Sequence, residues 1–197
     1  MTNTLTPNDR GLDMALRLAA WGGAVGLWLL PLVAMQFTRE VDWTATDFAV
    51  WAVLLLGGAG LFELSLRFPG GLAYRAASVI ALGGCFVLIW GNLAVGLIGS
   101  EDNPANLMFV GVLAIGAIGA FATRLRPGGL SRVMVAMAIA QMLAVGLATF
   151  IGWDDEAGAS LIATWFVSSF FAALWLLAAG LFSVAARQAA PKPSGAD

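Results

Sequence analysis

Six stretches of apolar residues, each about 20 residues long, dominate the pattern along the chain. A helix of that length crosses about 30 Å of hydrocarbon. Helices are favoured over strands because lipid requires backbone polar groups to be satisfied within the segment, and polar-apolar alternation is missing. The stretches are Met14 to Phe37, Phe48 to Leu66, Tyr74 to Ile98, Pro104 to Ala122, Val133 to Ile151, and Ser160 to Ala186. The pattern predicts an all-α integral membrane protein with six transmembrane helices.

The composition agrees with a chain that is dissolved in lipid. Hydrophobic residues make up 60% of the 197 residues and charged residues 11%, whereas a soluble domain has about 25% charged residues. The mean hydropathy is +0.86. A water-soluble core of this length could not bury so much apolar surface, so the bilayer is the first expected partner.

The connecting segments alternate in the sign of their charge. One side carries Arg10, Arg17, Arg67, Arg75, Arg124, Arg126, Arg132, Arg187 and Lys192. The other side carries Glu40, Asp42, Asp47, Glu101, Asp102, Asp154, Asp155 and Glu156, with Arg39 as its only cation. By the positive-inside rule the basic side is cytoplasmic. We therefore expect a multi-pass protein of a bacterial inner membrane with both termini in the cytoplasm.

A repeated turn suggests an internal duplication. Leu66 to Leu72 reads LRFPGGL and is echoed by LRPGGL at Leu125 to Leu130. The repeat predicts one domain, residues 1–187, made of three parallel two-helix hairpins at about 12–68, 72–126 and 130–187, with a disordered cytoplasmic tail over 188–197. Arg, Pro and Gly suit any cytoplasmic turn, so convergence is the alternative.

The densest polar cluster lies between the third and fourth stretches. It contains Glu101, Asp102, Asn103 and Asn106, whose oxygen atoms could bind Ca²⁺ or Mg²⁺ or a partner. The alternative is structural: Asn103 would be the N-cap of the next helix and Pro104 its first residue. The cluster lacks the spacing of an EF-hand loop, so no metal site is assigned.

Three polar residues lie within the apolar stretches. Glu63 is an ionisable residue in a span, which makes it a candidate proton or cation relay, although an ion pair with Arg67, four residues later, would explain it as well. Asn92 and Gln141 are expected to form hydrogen bonds between helices. Glu63, Asn92 and Gln141 are the candidate binding residues of a transport path.

Few residues could support catalysis or hold a cofactor. The chain has no histidine and one cysteine, Cys85, inside an apolar stretch, so neither a histidine-ligated haem nor an intrachain disulfide is possible. No nucleotide-binding loop, nucleophile elbow or HExxH motif occurs. We expect no enzyme activity, no cofactor, no bound metal and no nucleic-acid partner.

The segment Ile98 to Met108, IGSEDNPANLM, resembles a loop of small proteobacterial multi-pass membrane proteins that have no established activity. The resemblance implies a bacterial origin. It implies no substrate and no catalytic residue.

These patterns leave three functions open. The first is a non-catalytic membrane protein that packs with a membrane or envelope partner or with copies of itself. The second is a small transporter or channel for a solute or an ion, in which Glu63, Asn92 and Gln141 face one cavity. The third is a metal-dependent enzyme acting on lipid headgroups, which would require the acidic loops to converge.

Overall fold

The computed structural model describes residues 7–67, 71–100, 102–152 and 161–190. Its helices are α1 (Pro7–Ala34), α2 (Ala45–Leu66), α3 (Leu72–Ala94), α4 (Met108–Ala122), α5 (Pro127–Ile151) and α6 (Leu161–Ala189), with a 3₁₀ turn at Pro104–Leu107. Counting that turn with α4, all six are long and apolar enough to cross a membrane. The predicted all-α membrane fold is confirmed, and the protein is polytopic.

The helices extend slightly beyond the apolar stretches at the chain ends. The first begins at Pro7 and includes Pro31 within its length. The last continues to Ala189, two residues into the predicted tail, and residues 191–197 of that tail lie outside the described residues.

The chain divides into two units, residues 1–69 and 70–197. In the first unit α1 and α2 pack against each other as a helical hairpin. Near its loop, the Trp28 indole donates to the Phe48 carbonyl at 3.2 Å, and the Trp51 indole donates to the Leu27 carbonyl at 3.0 Å. Thr44 caps α2 through reciprocal bonds with Asp47. Two indole hydrogen bonds therefore join α1 to α2 near the loop, and the Thr44 cap defines where α2 begins.

In the second unit, α5 and α6 form the most extensive contact; α3 packs on α6 and α4 packs on α5. Two hydrogen bonds set the register of the antiparallel α5 and α6. Ser131 Oγ donates to the Ala179 carbonyl at 2.9 Å, and the Trp165 indole donates to Thr149 Oγ1 at 3.1 Å. The helices of the predicted middle hairpin, α3 and α4, thus lie against the helices of the third. The threefold repeat itself stays a prediction.

Glycines allow the helices of this unit to approach closely. A Cβ atom on Gly84 of α3 would lie 2.8 Å from the Trp175 ring, and one on Gly119 of α4 would lie 2.6 Å from a Val133 methyl group. Neither position has room for a side chain without displacement of its neighbour. Small residues therefore allow close helix packing at both interfaces, as is common between membrane helices.

The first turn of α5 offers a matched test of this close packing. A Cβ on Gly129 would overlap Thr123, whose hydroxyl is bonded to the Gly119 carbonyl at 2.8 Å and so cannot move freely. A Cβ on the adjacent Gly128 would lie 3.7 Å from Ala186, an ordinary contact. We predict that Gly129→Ala lowers the free energy of unfolding by about 1 to 3 kcal/mol, as overpacking does.

Gly128→Ala is the control, and we expect it to be neutral or slightly stabilising because Ala favours helix. The measurement is unfolding in detergent micelles. Equal stability of the two variants would show that α4 and α5 are not as close as described.

Candidate functional site

The connection between α3 and α4 is organised by the buried side chain of Asn106. Its amide oxygen accepts from the backbone N–H groups of Leu97 and Ile98, both at 2.9 Å. Its amide nitrogen donates to the carbonyls of Ile98 at 3.2 Å and Ser100 at 2.6 Å. One side chain thereby bonds to four backbone groups in the segment between the two helices.

The backbone of this connection requires glycine at two places. Gly96 has φ of 69° and Gly99 has φ of 68°, values that L-residues other than glycine adopt rarely. These two residues flank Leu97 and Ile98 and turn both N–H groups toward the Asn106 amide. The glycines and the asparagine thus act together.

The predicted cap of the fourth span is present. Asn103 precedes the 3₁₀ turn, its side chain accepts from the Ala105 N–H at 2.9 Å, and Pro104 follows at the first position. The helix begins with this 3₁₀ turn and becomes α-helical only at Met108. Asn103 is 4% exposed, so its capping side chain is removed from solvent.

Asn92 joins this site from the last turns of α3. Its amide nitrogen donates to the Asn106 carbonyl at 3.2 Å, while its amide oxygen is buried with no hydrogen-bond partner among the described residues. The structure therefore brings together three of the predicted residues: Asn92, Asn103 and Asn106. The hydrogen bonds of Asn92 and Asn106 tie the end of α3 to the start of the fourth span, which Asn103 caps.

Of the two acidic residues in this loop, the structure describes Asp102. Asp102 is exposed, and Glu101 lies outside the described residues, as do the acids at 154–156. Within the described ranges, no group of three or more Asp, Glu, Cys or His side chains is placed to hold a metal ion. Cation binding by this loop stays a prediction.

Glu63 has a different partner from the one that the sequence indicated. Its carboxylate lies 3.2 Å from the Arg17 guanidinium of α1, across the hairpin of the first unit. The i, i+4 pairing with Arg67 was wrong, because the neighbouring helix offers an arginine at the same level. The side chains of Arg17 and Glu63 are 44% and 24% exposed, so this pair adds no more than about 1 kcal/mol to stability in water.

Gln141 occupies the interior of the second unit. It is 0% exposed, and both amide atoms have no hydrogen-bond partner in the part of the chain that the structure describes. The predicted interhelical hydrogen bond is therefore not formed there. Glu63 belongs to the first unit and Asn92 and Gln141 to the second, so the predicted set is distributed over both.

Two further buried polar groups were missed by sequence reasoning. Ser168 Oγ and the Trp175 indole nitrogen of α6 are also buried without a partner among the described residues. Gln141 lies between the two register bonds of α5 and α6, as does Ser168, which puts both in the central part of this helix pair. The available signal was Trp175, which lies in the middle of a span, whereas Trp is common at the membrane interfaces.

Comparisons of the chain with protein families, with curated proteins and with solved structures give no match.

We predict that Asn106→Ala lowers the free energy of unfolding by about 3 kcal/mol, because it removes four hydrogen bonds, each worth about 0.5 to 1.5 kcal/mol. Asn103→Ala removes one cap bond and should cost about 1 kcal/mol. Thermal unfolding in detergent, with Ca²⁺ or Mg²⁺ and with chelator, measures both.

If Asn103 and Asn106 have a structural role, each variant loses the same stability with metal as with chelator. A metal-dependent rise in stability of the parent protein that disappears in the variant Glu101→Gln with Asp102→Asn would instead make this loop a cation site.

Proposed function

We propose that the protein is a non-catalytic component of a bacterial inner membrane, with both termini cytoplasmic, and that it acts by packing with a membrane or envelope partner. The ion pair between Arg17 and Glu63 is the observation that supports this most. Glu63 is the acid best placed for a proton or cation relay, and the pair gives it a structural task within its own hairpin. The partner is a second membrane protein or another copy of this chain.

The α3 to α4 connection supports the same proposal. The side chains of Asn103 and Asn106 direct their hydrogen bonds to the protein backbone. A site built for a solute would keep polar atoms directed at the ligand. The proteobacterial loop that this segment resembles fits a bacterial membrane origin and brings no activity with it.

A small-solute or ion transporter or channel is the second candidate, and Gln141 favours it. A buried amide without a partner costs several kcal/mol in hydrocarbon. A water molecule or a polar solute beside Gln141 and Ser168 would remove that cost. Such a path would have to be reachable from the aqueous phase.

Two measurements on native membranes separate the candidates. Crosslinking followed by purification and mass spectrometry should recover one defined protein partner, or a crosslinked dimer, in repeated preparations. In the background Cys85→Ala, the near-isosteric Ser168→Cys should react with a charged, impermeant methanethiosulfonate at least about 100-fold more slowly than the exposed Asp102→Cys, because Ser168 is 1% exposed.

Fast modification of Ser168→Cys, together with a retained small molecule and no protein partner, would overturn the packing proposal in favour of transport. Asp102→Cys controls for reagent quality, since its position is exposed in the same unit.

A further inference from the structure

Three arginines line one cavity at the turn between α4 and α5. The cavity has a volume of about 450 Å³ and is lined by Ala122, Thr123, Arg124, Arg126, Gly129 and Arg132. Every charged group in this lining is cationic.

The turn that carries these arginines is held in a defined conformation. Arg124 and Leu125 have φ of 51° and 57°, a left-handed conformation that is unfavourable for residues with a Cβ atom. The Leu125 N–H bonds to the Ala120 carbonyl at 3.0 Å, and the Leu125 carbonyl accepts from the Tyr74 hydroxyl of α3 at 3.0 Å. The surrounding structure thus fixes the backbone from which the Arg124 and Arg126 side chains extend.

The charged side chains that line the cavity are all positive, and they are exposed. In the described ranges, Arg124, Arg126 and Arg132 form no ion pair with a carboxylate. Arg126 is also the N-cap residue of α5 and supplies no side-chain cap, so the arginines lie beside the positive end of the helix dipole. Three cations at a helix N-terminus repel one another and the dipole, whereas a bound anion would be attracted both to the arginines and to the helix N-terminus.

The position of the cavity indicates which anion is available. It lies where two membrane-spanning helices end, which is the level of the lipid headgroups. Arginine binds phosphate through two parallel N–H···O bonds, and basic pockets at the ends of transmembrane helices suit anionic lipid headgroups.

We propose that this cavity is a binding site for a phosphate-bearing anion, presented by the headgroup of an anionic phospholipid. Arg124, Arg126 and Arg132 hold the phosphate oxygens, and the first turn of α5 faces the same anion. Because Gly129 has no side chain, Thr123 can lie close to the first turn of α5.

The positive-inside rule alone also requires basic residues in such a turn, so the test must separate charge from geometry. The triple variant Arg124→Lys, Arg126→Lys, Arg132→Lys keeps the three positive charges and therefore the orientation signal. It loses the planar fork that binds phosphate through two bonds. The control Arg67→Lys with Arg187→Lys makes the same exchange at two exposed arginines outside the cavity.

Each purified protein is placed in nanodiscs of phosphatidylcholine with increasing phosphatidylglycerol, and the affinity is obtained from the rise in Tm with the anionic lipid. A parallel series replaces phosphatidylglycerol with inorganic phosphate in the buffer. We expect the parent and the control to respond to phosphatidylglycerol, and the triple variant to bind it about tenfold or more weakly, as for the loss of a hydrogen bond between charged groups.

A response to inorganic phosphate equal to that of the lipid, again lost in the triple variant, would support phosphate recognition and identify a soluble source. An equal response of the triple variant, the control and the parent to phosphatidylglycerol would overturn the proposal, since charge alone would then suffice. No response of the parent to either anion would overturn it as well.

Discussion

The pairing of α5 with α6 is the interaction on which the rest of the larger unit depends. The outer helices pack on this pair, α3 on α6 and α4 on α5, so their positions follow from its register. That register rests on two hydrogen bonds, from Ser131 to the Ala179 carbonyl and from Trp165 to Thr149. In hydrocarbon, where apolar contact between helices is no better than contact with lipid, such bonds and close packing must hold helices together.

Polar groups at the two ends of this unit differ in the partners that they have. At the α3 to α4 connection, Asn106 satisfies the backbone of Leu97, Ile98 and Ser100 from within the protein. At the α4 to α5 turn, Arg126 leaves the start of α5 without a side-chain cap. At the first end the backbone is hydrogen-bonded within the protein, whereas at the second end three arginine side chains are exposed. This difference is the basis for assigning a structural role to the first and a ligand to the second.

The sequence predicted the helices well because a bilayer imposes a length and an apolar composition on each span. It also predicted the cap at Asn103 and Pro104, because that signal is local. Contacts between particular residues were harder to predict. The partner of Glu63 is Arg17, far away in the chain, and hydropathy carries no information about which helices meet.

The role of Asn106 could not be read from the sequence either. It depends on the left-handed backbone at Gly96 and Gly99, which is visible only once the loop has folded. Arg124, Arg126 and Arg132 were explained as topology signals, and their convergence on one cavity needed the φ angles of the turn. Local patterns were therefore informative, while features that join distant elements were not.

The pairing of α5 with α6 can be tested by a disulfide between their ends. A Cβ on Gly128 would lie 3.7 Å from the Ala186 Cβ, close to the mean of about 3.8 Å in disulfides. The variant Gly128→Cys with Ala186→Cys is made in the background Cys85→Ala, with a protease site inserted between residues 153 and 160, and is oxidised in membranes. Cleavage should leave the fragments joined on a non-reducing gel, whereas Gly128→Cys with the outward-facing Val184→Cys should release them. Two separate fragments from the Ala186→Cys protein, or equal linkage in both, would contradict the packing on which this account rests.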